Sequence, residues 1–317
     1  YPFQEECIED FQNYRFNIIL KSRQLGMSTV TAAYCLWFAL FHRDKNIVIM
    51  ATQLDVSVFM VNKVRAAWES LPDWMIRILG VEKLEAEAKK HVHFSNGSKI
   101  TAIPTKENSG RGDAVSLFIV DEAAHVENLN EIWKSVRPTL STGGSAIVFS
   151  TPKGKGNYFY DLWEKAEVTD EGREVEWRKD RHGIHAVQEG TNNFHAIKLP
   201  WTVHPDRDEQ WYETETKDMD EKGIAQELLC SFESSGHTYF RQEDISFYRN
   251  RTAVPAFTED SRGMPGDELQ VWKTPKPGGS YLLAADIARG DADDNSAVHV
   301  FDVDADEQVA EFYGKIP

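Results

Sequence analysis

The chain has 317 residues, with 51 Asp and Glu against 35 Lys and Arg, giving a formal net charge of −16. That length allows two domains, or one domain with an appendage; 41% hydrophobic and 27% charged residues describe a soluble globular protein, and no apolar run approaches the roughly 18 residues of a membrane span. The charge excludes a protein that coats nucleic acid with a broad basic face, while a grip through a few basic loops or a ring of subunits stays open, because local potential matters more than the sum.

Cys7, Cys35 and Cys230 are far apart without CxxC spacing, which points to reduced thiols and no zinc site. No signal peptide or membrane anchor is visible. A start at Tyr1 and an end at Pro317 read as a fragment at both ends.

In chain order, Tyr1-Pro2-Phe3-Gln4 precedes a first helix. A glutamine amide there can pair with both the ring nitrogen and the amino group of adenine, although one glutamine alone carries little. Asn17–Leu20 is a short apolar run suited to a buried parallel strand, and Thr29–Phe41 a long one suited to a packed helix. Between them lies Lys21-Ser22-Arg23-Gln24-Leu25-Gly26-Met27-Ser28-Thr29. The phosphate-loop pattern G-x-x-x-x-G-K-S/T cradles phosphates with backbone N–H groups, sets its Lys on the β/γ-phosphates and its hydroxyl on Mg²⁺. Here Gly26 and Ser28 are in register, Met27 takes the lysine place, and Lys21 stands where the first glycine would be. Strand, glycine turn and helix aim a helix N-terminus at an anion; an ordinary βα turn is the plain alternative.

Further strands are expected at Asn46–Ala51, Leu117–Val120 and Ser145–Ser150. Asp55–Ser70 has helical spacing of Val58, Val61, Val64 and Trp68, and Asn96-Gly97 marks a hairpin between His91–Phe94 and Lys99–Ile103. The alternation implies an α/β fold with a mostly parallel sheet covered by helices on both faces. Leu117–Val120 runs into Asp121-Glu122, two carboxylates at the strand edge where ligands sit in open α/β sheets. A nucleotide hydrolase needs one carboxylate near Mg²⁺, suited to Asp121, and one group for the attacking water, suited to Glu122; helix capping is the bland reading.

Positive charge on the γ-phosphate has three candidates: Lys21, Arg23 inside the loop, and Arg111 in Ser109-Gly110-Arg111-Gly112, which can reach a neighbour's nucleotide or simply be a surface arginine. Ser150 and Thr151 end their strand before Pro152 and can sense the γ-phosphate or start a turn. Lys153 and Lys155 on a glycine loop suit DNA phosphates or solvent equally.

Glu164–Gly190 is polar and reads as a surface excursion. Phe194–Trp201 follows as a strand, then helical stretches Asp206–Asp220 and Gly223–Phe232, a Pro- and Gly-bearing linker from Val254 to Gly279, and a last unit, Tyr281–Tyr313. The expected division is 1–165, a smaller subdomain 166–250, a linker 251–279, and a final unit 280–317.

Tyr1-Pro2-Phe3-Gln4, Ser22-Arg23-Gln24-Leu25-Gly26, Val120-Asp121-Glu122-Ala123, Ser150-Thr151-Pro152 and Gln226-Glu227 with Phe232 occur in an order and approximate spacing that resemble the large terminase subunit of tailed bacteriophages, over nearly the whole chain. The resemblance implies a P-loop packaging ATPase of the additional-strand, RecA-like kind using ATP and Mg²⁺. It implies adenine contact by Gln4, nucleotide contact by Lys21 to Thr29, Mg²⁺ at Ser28 and Asp121, catalysis by Glu122 with a trans-acting Arg111, and coupling by Ser150 and Thr151; Arg23 stays a catalytic candidate from its place in the loop. Many members carry Lys where Met27 stands; lambda-like members place it first in the loop, as Lys21 does. The implied partners are double-stranded DNA, a portal protein, a small terminase subunit and other copies in a ring. The implied location is the cytoplasm of the infected host, outside the mature virion, with no membrane.

Such proteins join the motor to an RNase H-like nuclease using Mg²⁺ or Mn²⁺. Tyr281–Asp286 and Ala297–Phe301 look like its first hairpin, with Asp286 as first metal ligand. Two-metal hydrolysis needs further carboxylates, so this chain should not cut DNA by itself. Two other classes remain: a helicase-like remodeller, for which residues 165–280 offer no second motif set, and a nucleotide-binding module without hydrolysis, which turnover distinguishes.

Overall fold

The computed structural model describes residues 1–84, 89–105, 114–178, 181–235, 255–260, 268–288 and 295–314. Two compact units divide the chain, Tyr1–Thr238 and Tyr239–Pro317.

The first unit opens with α1 (Pro2–Asn13), whose proline sits in the first turn, where a missing N–H costs nothing. Strand β1 (Phe16–Lys21) is buried along its whole length, extends one residue beyond the expected apolar run to include Lys21, and leads through the glycine loop into α2 (Met27–Phe41). That helix begins two residues before the expected Thr29. Next come β2 (Asn46–Met50), α3 (Leu54–Glu69), α4 (Asp73–Leu79), β3 (Lys83–Leu84) and the hairpin β4 (His91–Phe94) and β5 (Lys99–Ala102). Strand β6 (Leu117–Asp121) is followed by a 3₁₀ turn at Ala123–His125 and α5 (Leu129–Val136); β7 (Ser145–Ser150) is followed by α6 (Tyr158–Ala166). The remainder holds β8 (Trp177–Arg178), β9 (Ile184–Ala186), β10 (Phe194–Leu199), α7 (Glu209–Thr216), α8 (Glu221–Glu227) and α9 (Phe232–Ser235).

These strands form one sheet in the order β3-β4-β5-β2-β6-β7-β1-β10-β9-β8. From β5 to β10 all neighbours are parallel; the outer strands are antiparallel. Side chains alternate across a strand, so each parallel strand feeds two cores. Ile19, Ile47, Ile49, Leu117, Ile119, Ile147 and Phe149 pack with α1, α2 and α3 on one face. Ile18, Leu20, Val48, Met50, Phe118, Val120 and Val148 pack with α5 and α6 on the other. Phe118 is fully buried between these layers, and its truncation to alanine would cost about 3–5 kcal/mol.

A boundary at residue 165 falls inside this unit. Strand β10 lies directly beside β1, with Phe16 opposite Phe194 and Lys21 opposite Leu199, so the polar excursion returns into the same sheet. Its charged composition reflects an exposed connection before that return, rather than the start of a separate core.

The second unit is antiparallel: β11 (Phe257–Asp260), β12 (Glu268–Val271), β13 (Tyr281–Asp286), β14 (Ser296–Asp302) and β15 (Glu307–Gly314), ordered β11-β12-β15-β14-β13. Two of these strands, β11 and β12, occupy the stretch expected to be a linker. Strand β11 pairs with β12 and β12 with β15, and only Val271 of β12 is buried among their described side chains. The expected hairpin is present, with Asp286 opposite Ala297.

Candidate nucleotide site

Parallel neighbours β1, β7 and β6 end on one edge of the sheet, so Lys21, Ser150 and Asp121 arrive there together. A cavity of about 720 Å³ opens at that edge, lined by Lys21, Arg23 to Thr29, Thr52, Val56, Phe59, Met60, Lys63, Asp121, Glu122, His125, Thr151 and Glu227.

The turn from β1 into α2 requires left-handed backbone at Gln24 (φ 57°) and Gly26 (φ 72°). A Cβ on Gly26 would also lie 2.8 Å from the Gln4 amide nitrogen and push that side chain aside, but the left-handed backbone is what demands glycine. Ser28, in the first turn of α2, donates its hydroxyl to Asp121 Oδ2 at 2.7 Å. Asp121 Oδ1 is buried without a hydrogen-bond partner. Burial and the neighbouring Glu122 charge push the Asp121 carboxyl up to about 6, against the pull of Ser28 and Lys21.

Glu122 also adopts a left-handed backbone, φ 51°, a conformation that costs a non-glycine residue on the order of 1 kcal/mol and persists where surrounding contacts fix it. Those contacts are present. Lys21 Nζ donates to Glu122 Oε1 at 2.8 Å, while Ser150 Oγ and the Thr151 backbone N–H approach Oε2 at 3.3 and 3.4 Å. Ser150 is itself held by the Ala124 N–H at 3.1 Å. Burial alone would raise the Glu122 carboxyl; the Lys21 charge and hydrogen bond outweigh it and bring the group below its ordinary range.

The loop is held from outside the cavity as well. Arg23 N–H and Ser22 Oγ both donate to the Glu227 carbonyl, at 2.7 and 3.0 Å, and Ser22 N–H donates to the Leu199 carbonyl at 2.8 Å. The Arg207 guanidinium, stacked 4.4 Å from the Trp211 ring centroid, donates to the carbonyls of Arg23 (3.0 Å) and Gln24 (3.1 Å). Gln4 belongs to this outer shell. Its Nε2 donates to the Leu25 carbonyl at 2.8 Å, and it does not line the cavity.

The structure therefore brings together Lys21, Arg23, Gln24, Gly26, Ser28, Thr29, Asp121, Glu122 and Thr151. Leu25 and Met27 line the cavity but are 2% exposed and anchor the loop in the core, and Ser22 is buried beneath it. Arg23 is an exposed side chain whose Nε lies 4.0 Å from Glu227 Oε2. Arg111 lies outside the described residues, and Asp286 lies in the second unit. Sequence reading missed Lys63, Arg207 and the loop contact of Glu227. No local motif marks Lys63 or Arg207, and the Gln226-Glu227 segment gave no sign of a loop contact; only the tertiary fold brings α3, the chain before α7, and α8 to the loop.

One other group has metal-competent side chains among the described residues: Asp10, His185 and His195, all buried. His185 Nδ1 lies 2.5 Å from Asp10 Oδ2, His195 Nε2 3.3 Å from the same oxygen, and Arg181 Nη1 3.6 Å from Oδ1. Ligands around a tetrahedral zinc stand about 3.3 Å apart. The close His185 contact and the guanidinium instead define a buried polar cluster, in which a hydrogen bond joins α1 to β9 and His195 of β10 packs against the same carboxylate.

With this geometry established, the comparisons with known proteins are consistent. The family described as terminase large subunit, T4likevirus-type, N-terminal, matches residues 18–247. The chain belongs to this terminase family. Its fold is similar to the large terminase ATPase domain of Thermus phage P74-26, with 18% identity over 69% of this chain and 89% of that one, TM-score 0.55. It is also similar to the large terminase of a thermophilic bacteriophage in complex with ADP, with 11% identity over 98% of this chain and 67% of that one, TM-score 0.53. Among the described residues no helix of this terminase chain is long and apolar enough to cross a membrane.

Proposed function

We propose that this terminase chain is the ATP-hydrolysing motor that drives double-stranded DNA into a phage procapsid. The observation that carries the reading is the meeting of Lys21, Ser28, Asp121 and Glu122 around one cavity at the end of a glycine loop. Complexes of a related large terminase with ADP and with ATP-gamma-S support nucleotide as the occupant.

The loop and the first turn of α2 receive the phosphates, with Lys21 and Arg23 supplying positive charge. Ser28 Oγ and Asp121 are hard oxygen donors, and the unpartnered Asp121 Oδ1 fits a Mg²⁺ ion held with ATP. When bound, that ion supplies charge neutralisation at the β- and γ-phosphate oxygens. Glu122 orients the attacking water and accepts its proton, while Ser150 and Thr151 hold the carboxylate and carry its displacement to β7. Arg111 acts on the nucleotide of a neighbouring copy in a ring seated on the portal, with a small terminase subunit delivering DNA. Contacts to DNA are chiefly to the backbone, as sequence-tolerant movement requires, and work comes from differential nucleotide binding to two arrangements of the motor. The setting is the cytoplasm of the infected host.

In the second unit, Asp286 at the end of β13, opposite Ala297 of β14, supports the start of an RNase H-like nuclease that uses Mg²⁺ or Mn²⁺ with carboxylates beyond those here. Phosphate release from Mg²⁺-ATP by the full-length protein with procapsids and DNA tests the motor. Turnover lost in Glu122→Gln with ATP-gamma-S binding kept is expected; a wild-type protein that neither binds nor hydrolyses ATP ends the reading. Mixed Arg111→Ala and Glu122→Gln oligomers should recover part of the activity, and no recovery removes the trans role.

A further inference from the structure

The sequence pattern left the site short of its usual cation, because the residue before Ser28 is Met27, a core side chain 2% exposed. Lys21 is committed to Glu122 at 2.8 Å, and Arg23 lies near the Glu227 carboxylate at 4.0 Å. A further cation enters from a different element. Lys63, on the third turn of α3, lines the same cavity and donates from Nζ to Thr29 Oγ1 at 2.8 Å. Its ammonium stands 5.0 Å from the Phe59 ring centroid, and Phe59, 59% exposed, also lines the cavity. Lys63 thus meets a neutral hydroxyl and an aromatic face, where Lys21 and Arg23 meet carboxylates.

Resting on the nucleotide reading, we infer that Lys63 is a polyphosphate-binding residue of this site, supplied by α3. Thr29 is the residue directly after Ser28, in the first turn of α2, and both line the cavity at the end of the loop. A phosphate chain seated on that turn passes within reach of an ammonium already placed 2.8 Å from the Thr29 hydroxyl. Exchange of the neutral acceptor for an anionic oxygen adds ion-pair attraction to the hydrogen bond the ammonium already makes, and strengthens it. The Phe59 ring flanks that ammonium at the cavity wall. Because α3 follows β2, this contact also ties nucleotide occupancy to a helix outside the loop's own strand-turn-helix unit.

The test is equilibrium binding of ATP-gamma-S with Mg²⁺ to the full chain and to Lys63→Met and Lys63→Arg, with thermal melting of each apo protein. Methionine keeps the apolar stem and removes the charge. Lys63→Met should bind about tenfold more weakly with its apo melting unchanged, and Lys63→Arg should restore most of the affinity. Wild-type binding with equal affinity in Lys63→Met overturns the inference while leaving the nucleotide site standing. A Lys63→Arg protein as weak as Lys63→Met assigns the loss to the tie between α2 and α3 and overturns it too. Failure of the wild-type chain to bind ATP-gamma-S removes the nucleotide reading itself.

Discussion

Lys21 Nζ lies 2.8 Å from Glu122 Oε1, so the displaced loop lysine and the carboxylate proposed to activate water form one ion pair across the cavity. The Lys21 side chain is 7% exposed and what it exposes lines the cavity, whereas Glu122 is 34% exposed. On the nucleotide reading, an incoming γ-phosphate would compete with Glu122 for the same ammonium. Nucleotide binding would therefore loosen Glu122 from Lys21 as it occupies the loop.

Lys21→Met should lose nucleotide affinity and also stability. Removing one partner of a buried pair leaves Glu122 without its counter-charge, a loss of about 1–3 kcal/mol after allowance for the partial exposure of Glu122. Urea denaturation measures the stability and ATP-gamma-S titration the affinity. Wild-type affinity in Lys21→Met would show that the displaced lysine does not serve the phosphates.

Met27→Leu should leave both nucleotide affinity and stability nearly unchanged, within about 1.5 kcal/mol, because Met27 packs in the core. A large affinity loss in this volume-conserving variant would place the Met27 side chain among the phosphate contacts.

Asp121 gives a defined pH dependence. Its carboxyl is pushed up to about 6 by burial and by Glu122, above an unfolded value near 3.9. Between these values the folded state binds more protons than the unfolded state, so the Asp121 contribution makes apo stability fall as pH rises from about 4 to about 6, then level off. Mg²⁺ needs the ionised carboxylate, so Mg²⁺-dependent nucleotide affinity should instead rise over that window. Asp121→Asn should flatten both profiles, as read by denaturation and by titration at several pH values.

Arg207 bridges two successive loop carbonyls, a task that needs the planar fork of a guanidinium. Arg207→Lys and Arg207→Ala should both raise KM for ATP, by about tenfold, with a smaller change in kcat, since the loop loses its preorganised shape. A KM equal to wild type in Arg207→Ala would confine the residue to packing on Trp211.

Asp10 should matter for stability and not for turnover chemistry. Buried hydrogen bonding from His185 and His195 outweighs desolvation and holds its carboxyl well below the ordinary range. The resulting stabilisation is present above the unfolded value near 3.9 and is lost as pH falls toward the folded value. Asp10→Asn should cost about 2–4 kcal/mol near neutral pH, because Arg181 loses its buried counter-charge and the two imidazoles lose the carboxylate they pack against. Chemical denaturation at pH 7 and pH 4 checks the size and the sign.

Sequence by itself determined the sheet's parallel centre and the loop that feeds α2. Four apolar runs read as strands, and Asp121-Glu122 at the end of one of them lies where a parallel sheet opens to ligands, because strand periodicity and chain direction are local properties. It also marked Lys21, since a cation at the start of a glycine turn stands out against the pattern. Tertiary structure alone decided that β10 returns beside β1, that α8 and Arg207 brace the loop, that Gln4 stands behind it, and that Lys63 reaches the cavity from α3. Those contacts join residues 21 to 205 positions apart, and no periodic pattern in a chain encodes which distant side chains its folding will bring within 3 Å.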